Sequence, residues 1–135
     1  MNNDLSEINY FNNISNNNNN LNLFGPYEGY LKGNIFKNLY DEYKNYKPRR
    51  ISILNVADEM LLNINQLSFF RHELNLLLDV YPNNTNALNL FNKYHELEES
   101  EIKKYERRFG PLSINSDNMN TIPFKWEESK WPWEI

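Results

Sequence analysis

Hydrophobic side chains recur at steps of three, four and seven residues through the middle of the chain, a period typical of one helix face. The residues on this face are Met60, Ile64, Leu67, Leu74, Leu78 and Tyr81. Asn55 can cap the start of the helix, and Asp58 and Glu59 stand in the first turn, where the helix dipole favours negative charge. The pattern predicts a helix from about Val56 to Val80.

This first helix is apolar on more than one side. The apolar residues off the main face are Leu61, Leu62, Phe69, Phe70, Leu76 and Leu77. A helix of this kind needs more than one neighbour. Ordering about fifty residues of the hairpin costs roughly 1.5 kcal/mol of conformational entropy per residue. Offsetting this cost requires the burial of on the order of 3,000 Å² of apolar surface, which is more than two helices bury along one stripe. We therefore expect a third surface, from another copy or from a different protein.

A second helix follows a break at residues 81–85, YPNNT, where Asn84 or Thr85 can act as its cap. Its apolar residues at helical spacing are Phe91, Tyr94, Ile102, Tyr105 and Phe109. Gly110 and Pro111 form a strong stop, because glycine accepts the left-handed conformation and proline cannot continue a helix. The sequence predicts a mainly α fold, an antiparallel two-helix hairpin over residues 55–112 with irregular N-terminal and C-terminal arms.

The two arms differ in composition. Residues 1–22 are rich in asparagine and lack periodicity, which predicts a disordered tail. Residues 23–54 are rich in aromatic residues and glycine and are expected to be an irregular segment and linker. Residues 113–135 hold all three tryptophans and are expected to have no regular structure.

Composition limits the classes of function. The 135 residues suit one domain, and the absence of cysteine excludes disulfides and thiolate zinc sites. The first ten residues carry acidic side chains where a secretion signal carries basic ones, and no apolar run reaches membrane length, so we expect a cytosolic protein that is not secreted. The net charge of −4 argues against nucleic acid as a partner.

Candidate catalytic chemistry is sparse. His72 and His95 are the two histidines, and the Glu-x-x-His spacing of di-iron bundles fails at both, because Phe69 and Asn92 occupy the glutamate positions. The His-Glu-x-x-His, Gly-x-Ser-x-Gly and phosphate-loop motifs do not occur. We expect no catalytic residue, no cofactor and no metal ligand, and hence a protein that is not an enzyme.

Two stretches resemble small proteins of the bacterial spore coat J group. Residues 25–44, GPYEGYLKGNIFKNLYDEYK, resemble the core of the JA coat protein (CotJA). The matching positions are Pro26, Glu28, Gly29, Gly33, Phe36, Leu39, Tyr40 and Tyr43. Lys32 and Asn34 occupy positions where that protein has an arginine and a threonine, and Glu42 occupies the position of a proline.

From about residue 56 to the end, the chain resembles the JB coat protein (CotJB). The resemblance rests on the long apolar helix, LDVYPNNTNAL at residues 78–88, FGPL at 109–112 and WPWE at 131–134, in this order and spacing. The chain therefore looks like a fusion of a JA-like segment, about residues 23–46, with a JB-like part.

The resemblance implies a structural protein of the inner spore coat, made in the mother cell. It also implies a partner, a coat protein that resembles manganese catalases (CotJC), whose ferritin-like bundle would cover the first helix; other coat proteins or a homo-oligomer are further expected partners. One alternative is a scaffold that associates only with itself. Another is a membrane-interface binder using the terminal tryptophans and lysines, against which Glu127, Glu128 and Glu134 argue.

The residues expected to bind the partner come from the JA-like segment, the first helix and the terminus. They are Tyr27, Gly33, Phe36, Leu39, Tyr40, Leu61, Phe69, Phe70, Leu77, Trp126, Trp131, Pro132 and Trp133. The WPWE sequence would act as a terminal clamp, because Pro132 stiffens the backbone between two indoles and lowers the entropy lost on docking. The alternative is that this terminus folds back onto its own hairpin.

Overall fold

The computed structural model describes residues 21–116 together with residues 119, 122 and 124. Its helices are α1, Pro26–Lys32; α2, Val56–Val80; and α3, Thr85–Phe109; a short 3-10 helix spans Lys37–Leu39. Over the described residues there is no β-strand, although Leu23 and Phe36 form an isolated antiparallel bridge. The mainly helical fold expected from the sequence is confirmed. Residues 1–20, which belong to the tail predicted to be disordered, lie outside the described residues, as does most of the tryptophan-rich arm.

The ends of the long helices are set by local capping. The side chain of Asn55 accepts a hydrogen bond from the Asp58 backbone N–H at 2.9 Å, and that of Asn84 accepts one from the Ala87 N–H at 3.1 Å. After α3, Gly110 has a φ of 109°, a conformation that side chains other than glycine rarely adopt. The predicted bounds of α2 and the predicted end of α3 before Gly110 are confirmed, and Asn84 is the cap of α3.

Helices α2 and α3 contact each other, as a hairpin requires. They share a core with two residues that precede α2. This core consists of Leu23, Ile35, Leu67, Phe70, Leu74, Leu90 and Tyr94. Ile64, Leu67 and Leu74 of the predicted face of α2 are buried, and Phe70, which the prediction placed off that face, is fully buried as well. Tyr81, also predicted on the face, follows the last residue of α2 and is exposed.

The N-terminal arm is not wholly irregular, which corrects the expectation from the sequence. α1 begins with Pro26 at its first position and ends at Gly33, whose φ of 72° is left-handed. The Phe24 N–H donates to the Ile35 carbonyl oxygen at 2.8 Å, so the chain on either side of α1 closes on itself. A seven-residue helix is too short to show a 3.6-residue period, and its contacts with α2 stabilise it.

Residues 21–36, the N-terminal segment, supply a neighbour that α2 needs. Leu23 and Ile35 are buried in the common core, and the Tyr30 ring meets the Phe69 ring edge-on at a centroid distance of 6.0 Å. Leu21 packs against the same core, although the sequence placed it in the disordered tail. Part of the third surface expected from another molecule is therefore provided by this chain itself.

Candidate partner-binding surfaces

The aromatic residues predicted to bind a partner from the N-terminal arm are largely used within the chain. The Tyr27 hydroxyl accepts a hydrogen bond from the Ile51 N–H at 3.1 Å, which fastens the linker to α1. Phe36 is half-buried beside Leu23. Gly33 is exposed and serves as the cap of α1, and Leu39 is 74% exposed. Leu39 is thus the side chain of this group that is most available to a partner.

Tyr40 lies in a cation–aromatic cluster around Lys32. The Lys32 ammonium is 4.3 Å from the centroid of the Phe24 ring and 4.9 Å from that of the Tyr40 ring, and the two rings meet edge-on. The same ammonium is 3.1 Å from the Glu28 carboxylate and 3.9 Å from that of Glu42. This cluster holds the start of the linker against α1 and leaves Tyr40 half-buried.

The four predicted residues of α2 have different environments. Phe70 is fully buried and stacks on Tyr94, so its side chain has no surface for a partner and its role is in the core. Phe69 and Leu77 are half-buried and pack against the same core, and Leu61 is also half-buried. These three retain partial surfaces that an additional protein can cover. Trp126, Trp131, Pro132 and Trp133 lie outside the described residues, so their partner role stays a prediction.

A surface whose residues were not predicted to bind a partner lies where α2 turns into α3. We call it the hairpin tip, and it consists of Leu76, Val80, Tyr81 and Leu88, which are between 44% and 68% exposed. Leu76 and Val80 lie in the last turns of α2, Tyr81 directly follows α2, and Leu88 lies in the first turn of α3. A signal for it was present in the sequence, since Val80 and Tyr81 directly precede the break at Pro82.

The contact between α2 and α3 also contains an ion pair. Arg71 donates from Nε to the carboxylate of Glu98, which is buried, and its guanidinium carbon lies 5.8 Å from the centroid of the Phe91 ring. The Nη2 atom of Arg71 is 3.5 Å from the second oxygen of Glu98. This two-pronged contact fixes one position along α2 to one position along α3.

A second buried carboxylate holds the chain after α3. Glu106 accepts hydrogen bonds from the Leu112 N–H at 3.1 Å and from the Ser116 hydroxyl. Residues 112–116 are therefore drawn back along the last turns of α3. The first part of the C-terminal arm thus has a defined place on the hairpin.

One polar group within the helical core is incompletely satisfied. The Gln66 Nε2 donates to Asn63 Oδ1 at 3.1 Å, and both side chains are buried. Within the described residues, Gln66 Oε1 has no hydrogen-bond partner. The core beside the N-terminal half of α2 therefore contains buried polar side chains, whereas the buried residues of α2 closer to the hairpin tip are apolar.

Neither a metal-binding cluster nor a membrane-spanning helix is found among the described residues. This part of the chain contains no group of three or more His, Asp or Glu side chains arranged to hold a metal ion. His72 and His95 are exposed, and His95 Nε2 is 3.6 Å from a Glu99 carboxylate oxygen. No helix among these residues combines the length and the hydropathy needed to cross a membrane.

A comparison with protein families finds that residues 58–134 match the model of the CotJB protein. The chain belongs to the CotJB family. Membership in this family indicates a spore coat protein and a location in the spore coat. The match covers nearly all of α2, all of α3 and the C-terminal arm up to residue 134. It does not include residues 23–46, so it gives no support to the JA-like segment or to a fusion. No curated protein and no solved structure matches the chain.

Proposed function

We propose that this CotJB-family chain is a non-catalytic assembly protein of the inner spore coat, made in the mother cell, that binds a manganese-catalase-like coat protein. The coat location follows from the family, and the catalase-like partner rests on the resemblance to the coat J group. The observation that carries the binding role is the hairpin tip, a set of large apolar side chains exposed within the residues that match the family. Exposed apolar side chains close together favour association.

The proposal takes α2 and α3 as antiparallel. Phe70, in the second half of α2, stacks on Tyr94, whereas Asp58, at the start of α2, lies close enough to Tyr105, near the end of α3, to affect its pKa. Later residues of α2 thus meet earlier residues of α3, which supports the antiparallel arrangement. In this arrangement the hairpin tip projects from one end of the molecule. The partner would cover the tip together with Leu77, and the terminal tryptophans would act as a second clamp. A JA-like role for residues 23–46 rests on the sequence resemblance alone.

The test is co-expression with the catalase-like coat protein followed by size-exclusion chromatography. The wild-type chain is expected to elute with that protein, and Val80→Glu is expected to abolish co-elution by placing a charge in the apolar contact. Val56→Glu is the matched control, because it makes the same change at an exposed valine at the other end of α2. Its co-elution should be unchanged.

The alternative, a scaffold that associates only with itself, gives a different result. In that case the purified chain forms large assemblies alone, and the catalase-like protein elutes separately. Loss of co-elution in both valine variants would also contradict the role of the hairpin tip, since it would show a general effect of added negative charge.

A further inference from the structure

The linker before α2 contains a concentrated positive charge. Residues 43–54, which we call the basic strap, have the sequence YKNYKPRRISIL and contain four basic residues and no acidic one. The basic residues are Lys44, Lys47, Arg49 and Arg50. All four are exposed, and none forms an ion pair with a described residue. In a chain with a net charge of −4, this segment is a local exception.

Apolar and aromatic side chains alternate with these cations. Tyr43 and Leu54 are about four-fifths exposed, at 80% and 81%, and Tyr46 and Ile51 are also exposed. Tyrosine and cationic side chains together are the combination found where proteins meet the headgroup region of a membrane. The strap therefore offers both an electrostatic and an apolar contribution to binding at such a surface.

The strap is fastened to the folded part of the chain. Tyr40, just before it, packs against Lys32, and Ile51 donates its N–H to the Tyr27 hydroxyl. Asn55, just after it, caps α2. Because these contacts already restrict the backbone, binding orders fewer residues than it would in a free chain, which reduces the entropic cost of association.

We propose that the basic strap is a docking site for an anionic lipid surface. Its exposed apolar residues follow one another at steps of three, five and three residues on a backbone without regular structure. The four cations complement a negatively charged surface, and the exposed tyrosines beside them suit the headgroup region, so an anionic lipid surface matches both features. The acidic remainder of the chain does not prevent contact, because screening at physiological salt limits its repulsion to about 8 Å.

Flotation of the full chain with lipid vesicles tests the proposal. The chain is expected to float with phosphatidylcholine vesicles containing roughly a third phosphatidylserine and to remain unbound with pure phosphatidylcholine. Binding is expected to weaken as salt rises from about 0.1 to 0.5 M. Each basic residue near an anionic leaflet strengthens binding about fivefold, so replacing all four by glutamine should reduce it on the order of several hundred-fold.

The matched control makes the same change in net charge elsewhere on the surface. It replaces Lys37, Lys93, Lys103 and Arg108, all exposed, by glutamine. This control is expected to bind within about threefold of the wild type. Equal binding by the strap variant and the wild type would overturn the proposal. So would an absence of wild-type binding to anionic vesicles, including the case in which the strap binds only a soluble acidic polymer such as polyglutamate.

Discussion

The Phe70 ring on α2 stacks on the Tyr94 ring on α3, with the ring centroids 4.4 Å apart and the ring planes inclined by 26°. Neither side chain is exposed, and Ile35 of the N-terminal segment belongs to the same core. The stacked pair therefore joins all three parts of the fold. The stability of the hairpin and the attachment of the N-terminal segment both depend on this cluster.

Phe70→Ala is expected to lower the free energy of unfolding by about 3 to 5 kcal/mol, because it removes a fully buried ring and leaves a cavity against Tyr94. Urea denaturation followed by circular dichroism at 222 nm measures the loss. Phe109→Ala is the control, since Phe109 is exposed at the end of α3. An equal loss in the two variants would contradict the core position of Phe70.

Ile35→Ala is expected to loosen the N-terminal segment, because Ile35 is its most deeply buried aliphatic residue. Large-to-small changes of this type cost about 2 to 5 kcal/mol. Hydrogen exchange should quicken at the Phe24 amide, which donates to the Ile35 carbonyl, more than at the Leu90 amide within α3. Ile51→Ala, at an exposed position, should leave both amides unchanged. If the segment did not pack on α2, Ile35→Ala would behave as this control does.

The ion pair between Arg71 and Glu98 predicts a strong coupling between substitutions. Arg71→Leu alone is expected to destabilise the chain by about 1 to 3 kcal/mol, because it leaves the buried Glu98 carboxylate without its cation. The double variant with Arg71→Leu and Glu98→Leu should be more stable than the single variant Arg71→Leu, because it no longer contains the buried, unpaired carboxylate of Glu98. Thermal unfolding of the four members of this cycle gives the coupling energy. Additive losses would show that the two side chains do not interact.

The stability of the chain should depend on Tyr105 at alkaline pH. Burial, with a smaller contribution from the negative charge of Asp58, raises the pKa of the Tyr105 hydroxyl above its ordinary value of 10.0. The folded state thus holds this proton more tightly than the unfolded state. The resulting stabilisation is complete below pH 10 and is lost as pH rises through the folded-state pKa.

Tyr105→Phe should therefore lose less stability than the wild type as the pH rises above about 10. Urea midpoints measured across this range provide the comparison. Tyr43→Phe is the control, because it removes the same hydroxyl from an exposed side chain. If the urea midpoint of Tyr105→Phe fell with pH as steeply as that of the wild type, ionisation of Tyr105 would not contribute to alkaline unfolding.

Much of the candidate surface could not be predicted from the sequence. Leu39 was expected at a surface and is exposed, whereas Phe70 was expected there and is buried. Val80 and Leu88 were not selected, although the structure exposes both at the hairpin tip. An apolar side chain looks the same in the sequence whether it faces a core or a partner, and only the arrangement of neighbouring elements separates these cases.

The sequence by itself determined the lengths and ends of the two long helices, because Asn55, Asn84 and Gly110 act through hydrogen bonds and backbone preferences within a few residues. It placed Ile64, Leu67 and Leu74 on one face of α2, and all three are buried, but it did not determine that Phe70 is buried with them, since a helix that is apolar on several sides has no single preferred face. The tertiary structure decided this by stacking Phe70 on Tyr94 and by placing Ile35, far away in the chain, in the same core. Local chemistry therefore fixed the helices, and long-range packing fixed which surfaces remained for other molecules.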